Sequence, residues 1–439
     1  MSTKPSLYKI LTIKKGDRDA DFRLAAVSID FYEDIMCPTV SCTIQIANSG
    51  GVIKSEETGE KVSLYEGMKI RSGEEVQILI AANSPTNEDL DYSTTKPLYV
   101  NRISGLIRDD NSEFFKMHLI SREAYDNEVT FLEKQYPEGV PASNHVTDIL
   151  NDSFIFPSEN DIEQTTNEFG FWGNQMKPFD ALLKIASKST SGVGLNESAG
   201  FFFYQTRRGF SFKSIDTLVS QSVNVPKYVY TQYNVNSVDF KPVGDLESLD
   251  YKITSFVINE TGNMIADLRK GTFSSSRRIF DPLTFNIQVD DNFTGNDYSR
   301  VKTLGEAFSE GQDTSIGGVD LSKFPSQIIM DTRDIGTANA GVSRKDNQDP
   351  KLFVSQRKMR YNTLFSQSIT IQVPLNTRLH AGDLVECVFP SIGDSEVTQP
   401  DRTQISGIYM IKELCHHYDT QASYTSMMLI RDTFGERQK

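Results

Sequence analysis

SITIQVPLNTRLHAGDLVECVF, residues Ser368–Phe389, reads as strand, turn, strand. Ile369, Ile371 and Val373 alternate with Thr370 and Gln372, the period of a half-buried strand. Pro374 and Asn376 break that run, and Ala381-Gly382-Asp383 turns the chain. Leu384, Val385, Val388 and Phe389 then resume an apolar strand. A version of the pattern occurs earlier, where Ile70–Gln77 (IRSGEEVQ) lines up with Leu379–Glu386 (LHAGDLVE). Downstream of the first copy comes Ile103-Ser104-Gly105-Leu106, and downstream of the second Ile405-Ser406-Gly407-Ile408. Each copy ends in a similar strand, Met117–Glu123 against Ser426–Asp432. One Gly-acidic turn between strands is common in any all-β protein. Three matches in the same order point to an internal duplication, hence to two similar small barrels or sheets in one chain.

Composition bounds the alternatives. At 439 residues the chain has room for about two to four domains. A net charge of -14 repels nucleic-acid phosphate over the surface as a whole, which argues against stable nucleic-acid binding. The four cysteines, Cys37, Cys42, Cys387 and Cys415, form no CxxC pair and match no common zinc spacing, so buried free thiols are expected. The N-terminal MSTKPSLYKILTIKKGDRDAD lacks a signal-peptide core, and no apolar run approaches the ~20 residues of a membrane span. The expectation is a protein made in a reducing cytoplasm, without membrane insertion.

Residues 1 to about 125 read as strands with polar turns: Phe22–Phe31, Thr39–Ala47, Glu75–Ala81, Leu98–Ile107 and Phe114–Ser121. From about 126 the pattern changes. Ser143 is placed to cap a helix carrying Val146, Ile149 and Leu150, and Lys177-Pro178-Phe179-Asp180 opens a second one. Gly200–Phe212 reads as a hairpin turning at Arg207-Arg208-Gly209, so 126–226 forms an α+β unit. Between 227 and 290 strand-like segments return: Ser237–Lys241, Tyr251–Asn259, Met264–Leu268 and Leu283–Val289. Asn296-Asp297 offers a start for a short helix. Residues 311–350 are rich in Gly, Ser, Asp and Thr, and 351–364 reads as helix with Phe353, Arg357, Arg360 and Tyr361 at helical offsets. The fold class expected is mainly β with α+β insertions, two similar small β-barrels flanking an α+β domain.

Catalytic chemistry finds little support. His416-His417 sits in a strand-like run, where adjacent side chains point to opposite faces. No HExxH, GxSxG or Walker-type loop is present. Asp290–Gly295 (DDNFTG) resembles the start of a calcium loop, but its twelfth position is Val301 rather than Glu. A glycosidase carboxylate pair is not excluded by spacing alone. The cluster Phe169-Gly170-Phe171-Trp172-Gly173 offers either a sugar-stacking platform or, more commonly, core or interface packing. The sequons at Asn151, Asn196, Asn259 and Asn292 are of chance frequency. No catalytic, cofactor-binding or metal residue is assigned.

Several passages, in order, carry a likeness. They are Phe31–Ile35 with Thr39–Asn48, Lys177–Leu182, Phe202–Thr206 with Gly209–Ile215, Arg360–Asn362, and Ile371–Asp383. Together they resemble the central baseplate hub protein of contractile phage tails (myoviruses), a family related to the N-terminal part of type VI secretion spikes. The matches span about 30 to 432, and 260–350 matches nothing in the family.

The resemblance implies a homotrimeric ring in which each chain gives two barrels, so that three chains form a pseudo-sixfold tube. It implies a sixfold tail tube on one face, a threefold central spike trimer on the other, and tape-measure and wedge components as further partners. Within it, 1–125 is the first tube-forming barrel, 126–226 the α+β domain, 227–365 second-barrel strands with a peripheral insertion at about 260–350, and 366–439 the remainder of that barrel. The implied role is a symmetry adaptor of the virion baseplate, assembled in the host cytoplasm, that encloses the channel for genome ejection. The resemblance implies no active site and no cofactor. The alternatives are the hub of a related bacterial contractile injection system, a baseplate enzyme that cuts cell-wall glycan, and a protein binding host sugars.

Overall fold

The computed structural model describes residues 4–48, 53–54, 61–93, 95–109, 112–154, 159–192, 198–223, 225–230, 248–294, 301–306, 315–334, 347, 353–389 and 403–435. The expected strand at Ser237–Lys241 and helix start at Asn296-Asp297 lie outside them.

The N-terminal β unit is built from β1 (Leu7–Lys15), β2 (Ala26–Asp34), β3 (Ser41–Asn48), β4 (Glu75–Ala81), β5 (Leu98–Arg108) and β6 (Glu113–Ile120). Strict alternation decides which face is buried. In β3, Cys42, Ile44 and Ile46 have no exposed surface, while Ser41, Thr43 and Gln45 keep some. Neighbouring strands run antiparallel in the order β2-β3-β6-β5-β4-β1. Leu11, Ile29, Phe31, Val76, Phe115 and Met117 are among the residues that fill the core beneath.

An α+β part comes next, with α1 (Ala142–Ser153), α2 (Pro178–Lys188) and the hairpin β7 (Phe201–Thr206) and β8 (Gly209–Ser214). Pro178 opens α2 as expected, since its missing N–H has no helical partner at that position. Helix α1 begins earlier than its sequence suggests. Pro141 stands at the cap, and Ser143, expected to cap, lies inside the helix and exchanges hydrogen bonds with Thr165. Phe154, Phe179, Phe203, Phe210 and Phe212 form an aromatic core, which also takes Phe169 and Phe171.

The second half contains β9 (Tyr228–Tyr230), β10 (Ser255–Thr261), α3 (Met264–Lys270), β11 (Ser274–Asp281), β12 (Asn286–Thr294), β13 (Gln327–Thr332), α4 (Phe353–Leu364), β14 (Gln367–Pro374), β15 (Leu384–Val388), β16 (Gly407–Asp419) and β17 (Ser423–Arg431). Met264–Leu268, expected as strand, is helical. Asn263 caps it by accepting from the Ala266 N–H, and Gly271 ends it in the left-handed conformation. Within the Ser- and Gly-rich 311–350 stretch, β13 pairs in parallel with β11, whose other edge holds β12. These three strands form a separate small sheet. Asp290 to Thr294 belong to β12, so the calcium-loop resemblance falls on regular strand.

Strands β10, β14, β17, β16 and β15 are antiparallel neighbours in that order. They join the N-terminal unit in one 15-stranded sheet, because β16 continues past its own unit onto β2.

Candidate assembly interface

The two β units repeat each other at the level of single hydrogen bonds. Gly73 and Gly382 both hold positive φ, 84° and 90°. The Gly73 N–H donates to the Val100 carbonyl at 2.7 Å, and the Val100 N–H returns to Glu74 at 2.9 Å. In the second unit Gly382 donates to Ile411 at 2.8 Å, and Ile411 to Asp383 at 2.9 Å. The acidic side chain after each glycine accepts from the N–H three residues earlier, Arg71 to Glu74 and His380 to Asp383, each at 3.0 Å. That turn fixes the register of the strand it opens. Val76 and Ile78 match Val385 and Cys387, all without exposed surface.

The remaining strands share one slip, although β5–β6 has a second, between Phe114 and Lys116, that β16–β17 lacks. Between β5 and β6 the ladder slips by one residue where Val100 pairs Leu119 and Arg102 pairs His118. Between β16 and β17 the same slip falls where Ile411 pairs Leu429 and Glu413 pairs Met428. Hence β5 corresponds to β16, β6 to β17, β3 to β14 and β2 to β10.

Two of the three sequence matches need correction. The counterpart of Ile103 is Leu414, in mid-strand, whereas Ile405-Ser406 precedes β16, so the two ISG triplets are unrelated. In the third match the alignment is out by one residue. Met117 corresponds to Met427 and Leu119 to Leu429, all four buried. With a side-chain period of two, a one-residue error exchanges the core face for the outer face.

The junction inside the chain lies where Glu413–Asp419 of β16 pairs with Ser28–Asp34 of β2. It is polar. His417 Nδ1 meets Asp30 Oδ1 at 2.6 Å, its ring stacks on Tyr424, and Lys412 Nζ reaches Asp34 at 3.0 Å. Tyr418, from the second unit's strand, packs into the first unit's core and accepts at its carbonyl from the Tyr8 hydroxyl. His416 points the other way, as adjacent strand residues must, and is buried against Thr425 Oγ1 at 3.0 Å. Burial pushes its imidazole down to about 3.

Beside this seam a buried carboxylate gathers three elements. Glu33 of β2, 1% exposed, accepts from the Arg207 N–H at 2.7 Å and the Ala381 N–H at 3.0 Å, and meets His380 Nδ1 at 3.2 Å. Burial alone raises such a carboxyl. The His380 ring and the two amides outweigh it and hold Glu33 below the usual range. Arg207, at the hairpin turn, also bonds Glu88, the Asp89 carbonyl and the Thr377 carbonyl. In sequence it registers only as a turn residue, and Glu33 only as one of several strand carboxylates. Their shared role needs residues 174 apart to meet.

The outer edges of the two units stand in contrast to this seam. Beyond Tyr99, β5 has one strand neighbour among the described residues, β6, and β10 has one, β14. Both edges expose apolar side chains: Leu106 at 40% and Ile107 at 66% on β5, Val257 at 61% and Ile258 at 41% on β10.

Elsewhere the chemistry is sparse. Among the described residues no three His, Cys, Asp or Glu side chains cluster as for a metal ion. All four cysteines are free, and burial raises the Cys42 and Cys387 thiols. Of the Phe169–Trp172 cluster, both phenylalanines are core and only Trp172 is exposed. A cleft of about 300 Å³ between the hairpin and the 380–383 turn is lined by Glu159, Asp161, Lys213 and Asp383 among others, although no acidic segment stands out as a pocket in sequence. Its Asp383 already holds the turn. Among the described residues no helix is long and apolar enough to cross a membrane.

The sequence matches no protein-family model and no curated protein. Its fold, however, is shared with solved phage-type tail proteins. Against the tail protein from Neisseria meningitidis MC58 the TM-score is 0.51 at 10% identity, covering 96% of each chain. Against the 43 kDa tail protein of prophage MuSo2 from Shewanella oneidensis it is 0.52 at 9% identity, covering 96% of this chain and 99% of that one.

Proposed function

We propose that this protein is the structural hub of a contractile tail baseplate, a homotrimer whose six β units form a pseudo-sixfold ring. The observation that carries this reading is the hydrogen-bond-level equivalence of the two units around Gly73 and Gly382. A chain with two equivalent units lets one closed trimer meet a sixfold partner through its units and a threefold partner through its chains. The sixfold partner is the tail tube and the threefold one the central spike, with tape-measure and wedge components as further contacts. The full-length likeness to tail proteins supports the same reading, and so does the resemblance of the sequence to baseplate hubs.

In this reading the location is the virion tail and the role is structural rather than catalytic. The net charge of -14 suits a channel wall past which DNA slides without adhering. The hub of a related contractile injection system would share the ring.

The test is negative-stain imaging and mass measurement of the chain co-produced with its cognate spike. A three-chain ring with an open centre is expected. A chain that stays monomeric beside its spike overturns the proposal. Peptidoglycan hydrolysis abolished by a single carboxylate substitution would place the protein among glycan-cleaving enzymes instead.

A further inference from the structure

We propose that Ile103–Arg108 of β5 in one chain pairs antiparallel with Phe256–Thr261 of β10 in the next, in a register set by the chain's own internal symmetry. The inference rests on the ring reading and specifies its joint. Within the chain, the second unit lends the distal half of β16 to the free edge of β2. The counterpart of β16 is β5, and the counterpart of β2 is β10. Among the described residues, strand β5 is the one left without a lateral neighbour along its distal half, and β10 the one left with a bare edge. Applying the internal relation once more carries β5 onto β10 of another copy. The contact is head-to-tail, so it propagates beyond a dimer and forms a ring where its rotation closes.

The register is set residue by residue. Ile107 corresponds to His417, since each stands opposite the equivalent residue of its neighbour, Phe114 of β6 and Tyr424 of β17. His417 faces Asp30. Asp30 in turn corresponds to Val257, because Thr43 and Thr370 are the equivalent partners across from them. The symmetry therefore sets Ile107 opposite Val257 and, on the other face of the strands, Leu106 beside Ile258. These are the apolar side chains that stand exposed on the two edges. Nothing in the symmetry requires the exposed residues to be apolar on both sides, so the agreement is an independent observation. The two kinds of joint also differ in chemistry. The joint within a chain is an Asp–His and Asp–Lys contact, and the joint between chains is an aliphatic pair, which buries exposed edges that otherwise invite misassembly.

The test is cysteine cross-linking. Ile107→Cys and Val257→Cys chains, made separately, are mixed and mildly oxidised, and the double variant is oxidised alone. Cross-strand neighbours bring the two Cβ atoms within disulfide reach. Expected are a covalent heterodimer from the mixture, loss of the monomer band in the double variant in favour of a three-chain species, and neither product from an Ile107→Cys, Val289→Cys control. Three-chain particles by mass that fail to cross-link in both experiments overturn the register and leave the ring standing. A cross-linked ladder without an upper limit upholds the strand pairing and overturns the three-chain ring. Monomers without cross-links, with the cognate spike present, overturn both.

Discussion

Gly73 and Gly382 share one backbone conformation but not one environment. A Cβ on Gly73 would meet nothing within 4 Å, whereas one on Gly382 would lie 2.4 Å from the buried Tyr204 hydroxyl. Gly73→Ala is thus expected to cost only the left-handed strain, about 1–2 kcal/mol. Gly382→Ala adds a clash worth a further ~1–3 kcal/mol, and Tyr204→Phe in that background should recover part of it. Denaturant titration of the four proteins checks the ordering. His416 supplies a pH prediction. Its folded value of about 3 lies below the ordinary histidine range, so between about 6.5 and 3 the unfolded chain binds a proton that the folded chain refuses. Stability is complete above about 6.5 and falls on acidification, by about 1.4 kcal/mol at one pH unit below. His416→Gln should flatten the decline of the melting temperature between about pH 7.5 and 5.5. Burial also lowers His145, so a residual slope is expected.

At the scale of elements, the contact to test is the one that Glu33 makes among β2, the 207 turn and the 380–381 turn. Glu33→Ala strands a buried histidine nitrogen, the buried Ala381 amide and the part-buried Arg207 amide together. A loss of about 3–5 kcal/mol is expected, read from the urea midpoint at neutral pH. Because the folded carboxyl is held low, its stabilisation is present above the ordinary carboxylate range and disappears as pH falls through the lowered value. Element-level sequence reading succeeded where one face is buried. Glu75–Ala81 was legible to the residue, because burial of Val76, Ile78 and Ile80 imposes period two. It failed at Met264–Lys270, where few residues carry a pattern, although Asn263 and Gly271 were available as start and stop signals. The β16–β2 joint could not be read at all, since its pairs lie 379 or more positions apart and no local pattern names the partner.

At the scale of the whole molecule, assembly should couple to stability. Binding of the folded chain by another copy raises the melting temperature with concentration. The wild-type midpoint is expected to rise over a roughly hundredfold dilution series read from dilute to concentrated. Val257→Asp, which places a charge on an exposed edge, should remove the rise while leaving the dilute value unchanged. Differential scanning fluorimetry checks both. Size-exclusion chromatography of the same variant reports whether it remains monomeric.

The sequence by itself determined that the chain is mainly β, that a Gly-acidic turn occurs twice, and where most strands of the first unit run, because alternation and turn chemistry are local. Beyond the Gly73 and Gly382 turns, tertiary structure alone decided which residues of the two copies correspond. A one-residue slip in a β-bulge is silent in composition yet turns every later side chain to the other face. It also decided that β16 crosses from one unit to the other while β5, among the described residues, is left with an open edge. Strand pairing over hundreds of residues is chosen by the global packing of two cores, and the short-range pattern that makes a strand does not encode its neighbour.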